Sequence, residues 1–217
     1  MKFDKFLDTY EKYATVQNRV AEKLIDFIPK ERYGKVLEIG CGTGILSRFF
    51  LRKFKPELLV LNDYFDTRKF LNKISYNEFV KGDMDLLQFQ KYDLIISSST
   101  LQWSKDFEAL IQKFSESSSN LFFSIYTKEN LIEIERHFGI SLKYHTFGEI
   151  EKILKKYYNS VKYEEEQIIL SFDTSIKALR HLKYTGVTGF SKNTSVEKIR
   201  SFSSEKLTYK VGYFSCQ

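Results

Sequence analysis

The chain has 217 residues, 42% hydrophobic and 16% aromatic, with two prolines, ten glycines and a formal net charge of +6. That composition suits one α/β domain with a small addition and excludes a disordered or collagen-like chain. The N-terminus lacks a signal-peptide core, no apolar run is long enough to span a bilayer, and Cys41 and Cys216 read as small residues in a reducing compartment, so the expectation is a cytoplasmic protein without a membrane partner.

Phe3, Phe6, Leu7, Tyr10, Ala14, Gln17, Ala21, Leu24 and Ile28 fall on one helical stripe, which Pro29 closes. Tyr10 and Gln17 are its polar members, two turns apart on the same face. They are either buried and satisfied or part of a helix that closes over a ligand. Residues 36–39 read as a buried strand, followed by glycines at 40, 42 and 44 and a helix whose apolar positions are Ile45, Leu46, Phe49 and Phe50. The glycines let the backbone turn sharply and let a ligand approach.

Further strands are expected at 58–62, 78–81, 92–97 and 120–126, with helices at 65–72 and 107–114. Repeated β-α units imply a parallel sheet with right-handed crossovers, and ligands in such sheets bind at the strands' carboxyl ends. Those ends carry Gly40, Asp63, Gly82, Asp83 and Ser97 to Ser99. Beyond Leu131 the pattern gives a helix at 149–157, a long strand at 161–172 and a helix at 176–184. A turn at Gly186 and Gly189, a short helix at 196–202 and a last strand at 207–215 follow. Between residues 174 and 212 eight basic residues face two acids, so this segment carries the whole excess of +6. It reads as a solvated face or as a docking patch for an acidic partner. The Cys and His residues show no metal-ligand spacing, and no metal is expected.

Glu38-x-Gly40-x-Gly42-x-Gly44 resembles motif I of the class I S-adenosylmethionine methyltransferases. The resemblance implies a Rossmann-like α/β fold, with a seven-stranded, mostly parallel sheet and an antiparallel last strand. It divides the chain into an N-terminal helical lid (1–30), a cofactor-binding core (31–172), a helical insert between the last two strands (173–204) and the last strand (205–217). It implies S-adenosylmethionine as cofactor and S-adenosylhomocysteine as product. Glu38 would help hold the cationic amino group, with Gly40, Gly42 and Gly44 wrapping the methionine part. Asp63, about twenty residues beyond the loop, suits the ribose hydroxyls. Asp83 and the Met84 backbone suit the adenine, Tyr64 would pack on it, and Gln17 and Ser98 complete the expected cofactor set.

Three further stretches narrow the resemblance. Residues 10–17 with Val20 and Ala21, Leu101-Gln102-Trp103, and residues 179–189 are similar to the malonyl-acyl-carrier-protein O-methyltransferases of biotin synthesis. Ser97-Ser98-Ser99 and Asn62-Asp63-Tyr64-Phe65 depart from that pattern. The resemblance implies that a malonyl thioester on acyl carrier protein is methylated on its free carboxylate, priming a pimeloyl chain. A carboxylate is already ionised at neutral pH and needs no base. On this reading Arg180 pairs with the carboxylate, its fork suiting that group, and His181 is the second candidate. Tyr10 closes over the reactants and Trp103 walls the acyl channel. Lys183, with Lys177 and Lys192, draws in the acidic carrier. Another carboxyl or hydroxyl acceptor, an RNA substrate, and cofactor binding without catalysis stay open. The chain has only Pro29 and Pro56, so it lacks the Asn/Asp-Pro-Pro-aromatic run common in amide and nucleobase enzymes. That lack counts against a nucleic-acid partner.

Overall fold

The computed structural model describes residues 7–185 and 194–217. Phe3, Phe6, Gly186, Gly189 and Lys192, all singled out above, lie outside them. Among the described residues seven strands form one sheet: β1 (Lys35–Ile39), β2 (Leu58–Asp63), β3 (Glu78–Lys81), β4 (Leu94–Ser98), β5 (Leu121–Tyr126), β6 (Val161–Ser171) and β7 (Lys206–Cys216). Their order is β3-β2-β1-β4-β5-β7-β6. The first five run parallel, and β7 runs antiparallel between β5 and β6. This is the class I methyltransferase sheet. The central strands are buried on both faces, as their near-continuous apolar sequences require.

Eight α-helices are described: α1 (Leu7–Tyr13), α2 (Thr15–Phe27), α3 (Ile45–Lys53), α4 (Phe107–Ser117), α5 (Ile132–Phe138), α6 (Phe147–Leu154), α7 (Ser175–Tyr184) and α8 (Val196–Arg200). They cover both faces of the sheet. On one, Val20, Leu24, Phe50 and Leu182 share a core with β5 and β7 residues such as Phe122 and Tyr209. On the other, Leu110, Ile111 and Phe114 of α4 and Ile150 and Leu154 of α6 pack against Phe123 and Phe214. The segment between β6 and β7 contains α7 and α8. Among the described residues no helix is long and apolar enough to cross a membrane.

Three local expectations are corrected. The N-terminal stripe is two helices, broken at Ala14 (φ −77°, ψ 39°). Ala14 is the N-cap of the second helix, and its carbonyl accepts from both the backbone N–H (2.9 Å) and the side chain (2.8 Å) of Asn18. The helix expected at 65–72 shrinks to a single 3-10 turn, Arg68–Phe70. Asp63 and Asp66 accept from the backbone N–H groups of Phe65 and Arg68 and hold the chain in turns instead. Helix α5 was not foreseen: it is seven residues long and starts after Leu131, whose φ is +55°.

Candidate active site

The carboxyl ends of β1, β2, β4 and β5 open into a cavity of about 510 Å³, and Tyr10 of α1 with Gln17 and Ala21 of α2 also line it. Helix α1 is held across this wall from two sides. Glu11 pairs with Arg48 of α3 (2.9 Å), and the Tyr13 ring stacks on Tyr184 of α7 (4.6 Å between centroids).

Strand β1 delivers Glu38 to the wall, and the chain then turns through Gly40 (φ +68°), Gly42 (φ +53°) and Gly44 (φ +80°). A Cβ at Gly40 would stand 2.1 Å from Thr100 Cγ2, and one at Gly44 would stand 1.9 Å from Ile74 Cδ1. At these two positions the glycines answer to neighbouring side chains and to a left-handed backbone, rather than to ligand approach. Gly44 caps α3 and is not part of the cavity wall, whereas Gly40 and Gly42 are.

Asp63 fixes the loop's shape. Its Oδ2 accepts from the Gly42 N–H (2.8 Å) and its Oδ1 from the Phe65 N–H (2.9 Å). A carboxylate has about four lone-pair directions, so acceptor capacity toward the cavity remains. Burial pushes the Asp63 carboxyl up, and the backbone bonds from Phe65, Gly42 and Tyr64 pull it back. Glu38, 1% exposed, accepts from Ser47 Oγ (2.6 Å). Burial pushes its pKa up to about 8 against the opposing bonds from Ser47.

Farther along the wall, Tyr64 stands 61% exposed against the edge of Phe65. Met84 is buried beside Asp83. Burial works against the charged form of Asp83, but the Asp85 N–H (3.1 Å) and Lys105 Nζ (3.1 Å) hold it below the usual carboxylate range. Ser98 shares a hydrogen bond with Ser124 (3.0 Å), and Trp103 lines the cavity from the 3-10 turn Leu101–Trp103.

So the structure brings Tyr10, Gln17, Glu38, Gly40, Gly42, Asp63, Tyr64, Asp83, Met84, Ser98 and Trp103 together around one cavity. It does not bring Arg180, His181 or Lys183 there. Helix α7 buries Ala178, His181 and Leu182, which leaves Arg180 and Lys183 exposed on its other side. His181 is itself committed to the core. Its Nε2 lies 3.0 Å from Tyr209 Oη, its ring meets Phe172, and burial lowers its pKa to about 4. The residue of this helix end that does reach the wall is Thr185.

Sequence reasoning missed the wall residues Thr43, Tyr126 and Tyr144, and it gave no individual role to Ser99, Gln102 and Thr185, which it named only within strand ends or family stretches. Among the described residues six buried side-chain polar atoms have no hydrogen-bond partner. Five of them belong to the wall: Gln17 Oε1, Thr43 Oγ1, Ser99 Oγ, Gln102 Oε1 and Tyr126 Oη. Buried polar atoms are ordinarily paired, so this concentration marks a cavity built for a polar ligand.

The family model for a methyltransferase domain matches residues 10–182. A malonyl-[acyl-carrier protein] O-methyltransferase of Calditerrivibrio nitroreducens is 33% identical over 98% of this chain and 93% of its own. One of Bacteroides thetaiotaomicron is 36% identical over 90% of this chain and 79% of its own. Among solved structures, the N-methyltransferase NodS of Bradyrhizobium japonicum, in complex with S-adenosyl-L-homocysteine, superposes with a TM-score of 0.59 at 12% identity. That match covers 99% of this chain and 96% of NodS, and it is a likeness of fold. By its matched domain and its full-length likeness to these relatives, the chain belongs to the malonyl-[acyl-carrier protein] O-methyltransferase family.

Proposed function

We propose that the protein transfers a methyl group from S-adenosylmethionine to the free carboxylate of a malonyl thioester on acyl carrier protein, in the cytoplasm. The observation that carries the reading is the cavity at the strand ends, whose wall joins Glu38, Asp63 and unpartnered polar atoms in a chain of this family. These residues fit the cofactor. Glu38, Gln17 Oε1 and Thr43 Oγ1 offer acceptors to its amino group, and Asp63 offers its spare lone pairs to the ribose. Asp83, the Met84 backbone and Tyr64 suit the adenine, with Gly40, Gly42 and Ser98 lining the path between. When bound, S-adenosylmethionine supplies a methyl on a cationic sulfur, which a carboxylate oxygen accepts to give the methyl ester and S-adenosylhomocysteine.

What the chain itself must do is position and exclude water. Tyr10, Gln17 and Trp103 bound the cavity where an acceptor would enter. Burial raises the Tyr10 hydroxyl well above its ordinary pKa, with the charges of Tyr126 and Asp63 adding to the effect. Tyr10 therefore stays a neutral donor and no general base is required. Arg180 and Lys183, exposed on α7, belong on this reading to a face for the carrier protein rather than to the carboxylate site.

Incubation with S-adenosylmethionine and malonyl-acyl carrier protein, followed by intact mass of the carrier, tests the reading. A gain of one methyl that an esterase removes supports it. No gain, on protein shown to bind the cofactor, rejects this acceptor and directs the search to other carboxylates.

A further inference from the structure

We infer that Tyr126 and Ser99 form the site that grips the acceptor carboxylate, with two neutral hydroxyls in place of an arginine. The inference rests on the proposed function and supplies the carboxylate ligands that function needs.

Three observations carry it. Tyr126 ends β5 and is 5% exposed. Its hydroxyl lies on the cavity wall beside the Ser99 and Gln17 side chains and completes no well-formed hydrogen bond among the described residues. Ser99 follows β4, and its Oγ is buried, unpartnered and on the same wall. It stands at φ +56°, a conformation serine rarely adopts. Gln102 Nε2 donates to the Ser99 carbonyl (2.6 Å), and the Ser99 N–H donates to the Ser124 carbonyl (3.0 Å), so the residue is held in that turn from both sides. Strain persisting in a buried loop with an unpaired hydroxyl is a feature of ligand sites. Third, Ser99 and Tyr126 approach each other from adjacent parallel strands, β4 and β5.

The position separates this pair from the residues assigned to the cofactor's ribose and adenine. Asp63, Tyr64 and Asp83 lie at the ends of β2 and β3, on the far side of β1 from β4 and β5. An acceptor must sit beside the cofactor's methyl, so the β4–β5 side is the half left for it. The chemistry also fits. A hydroxyl donates one hydrogen bond to one carboxylate oxygen and leaves the other oxygen's lone pairs free to attack. An arginine fork would occupy both oxygens. Burial raises the Tyr126 hydroxyl far above its ordinary pKa, which keeps its proton in place.

The test uses the full-length protein and the variants Tyr126→Phe and Ser99→Ala. Each removes at most the contact between the two hydroxyls and, for Tyr126, the one to Gln17, none of them part of a helix or strand ladder, so both should fold normally. The first measurement is affinity of the protein saturated with sinefungin, a cofactor analogue with a cationic amine near the sulfur position, for malonyl-pantetheine and for acetyl-pantetheine, which lacks the carboxylate. The wild type should prefer the malonyl compound. Each variant should lose at least tenfold of that preference, while its affinity for S-adenosylmethionine stays within about threefold of wild type. With the carrier-bound substrate, KM should rise by a similar factor and kcat should fall less. A malonyl preference unchanged in both variants overturns the inference, as does a loss of cofactor affinity matching the loss of acceptor affinity. The two readings fail separately. If the wild type methylates malonyl-acyl carrier protein and the variants keep their preference, only the hydroxyl site is wrong. If it transfers no methyl yet loses malonyl preference in Tyr126→Phe, the site holds carboxylates and the proposed reaction is wrong.

Discussion

Gly40→Ala isolates what the glycine loop is built against. Two costs add. The residue sits at φ +68°, where an L side chain costs about 1–2 kcal/mol. The new Cβ would lie 2.1 Å from Thr100 Cγ2 and 2.7 Å from Thr100 Cβ, so the next loop must move and not merely a side-chain tip. Overpacking of that kind costs roughly 1–3 kcal/mol. The sum, about 2–5 kcal/mol, is a large part of an ordinary domain's stability of about 5–15 kcal/mol. Urea unfolding of wild type, Gly40→Ala, Thr100→Gly and the double variant measures it. Thr100→Gly removes the obstructing atoms but also the hydroxyl that donates to the Ser98 carbonyl (3.1 Å), worth about 1 kcal/mol. The double variant should regain the overpacking part, roughly 1–3 kcal/mol, and keep the backbone part. Strict additivity of the two single changes, or a Gly40→Ala cost below about 1 kcal/mol, would refute the reasoning. Gly44→Ala is the milder companion, because its Cβ meets the tip of Ile74, which can swing aside.

Three other outcomes follow from the same geometry. Glu38 is protonated below about pH 8, so affinity for S-adenosylmethionine should rise with pH toward that value, by up to about tenfold per unit. Glu38→Gln should bind weakly with no such rise, and calorimetry across pH 6 to 9 decides it. The folded pKa of His181 is lowered to about 4, below that of the unfolded residue, so the stability it lends is present above about pH 6.5 and lost as pH falls toward 4. His181→Gln, which can still bond Tyr209, should flatten that acid slope, and equal slopes in the two proteins would contradict the assignment. Arg180→Ala with Lys183→Ala should raise KM for the carrier-bound substrate and weaken its salt dependence, with KM for malonyl-pantetheine unchanged. A comparable rise for the small substrate would return Arg180 to the carboxylate.

The sheet was legible because its signals are local and repeated. Buried strands such as Leu94–Ser98 and Leu121–Tyr126 are short apolar runs, and each is followed by a loop of small or acidic residues. The β1–β2 side of the cavity was legible for the same reason, since Glu38, Gly40 and Asp63, all on its wall, announce themselves by spacing within 26 residues. The β4–β5 side was not. Tyr126 reads in sequence as one more aromatic at the end of an apolar strand, and only the fold shows its hydroxyl reaching the cavity. Tyr144 sits in an irregular stretch, where the Asn130 side chain, 14 positions earlier, donates to it (2.9 Å). Arg180 lies off the cavity wall for a reason the sequence does contain. Ala178, His181, Leu182 and Thr185 recur at helical spacing and mark the inner face of α7, which Arg180 and Lys183 do not share.

The charge on the cavity wall implies an order of binding. Its ionisable acids are Asp63, Asp83 and, above about pH 8, Glu38, and its one basic residue among the described residues, Lys105, is tied to Asp83 at 3.1 Å. Such a wall favours a cationic ligand and opposes a carboxylate brought in alone. The neutral donors Tyr126 and Ser99 orient an anion but do not cancel its charge. The sulfonium of the cofactor can do so, at a separation where two opposite charges interact by about 4 kcal/mol in a partly screened site. Even if desolvation consumes two thirds of that, about 1.4 kcal/mol remains, which is tenfold in affinity. Malonyl-pantetheine should therefore bind about tenfold more tightly when the cofactor site holds sinefungin, whose amine keeps a positive charge near the sulfur position, than when it holds neutral-sulfur S-adenosylhomocysteine. Acetyl-pantetheine should not distinguish the two. If it does so to the same extent, the coupling comes from shape rather than charge. Equal malonyl affinities in both complexes would mean that some cation of the chain, and not the cofactor, balances the acceptor.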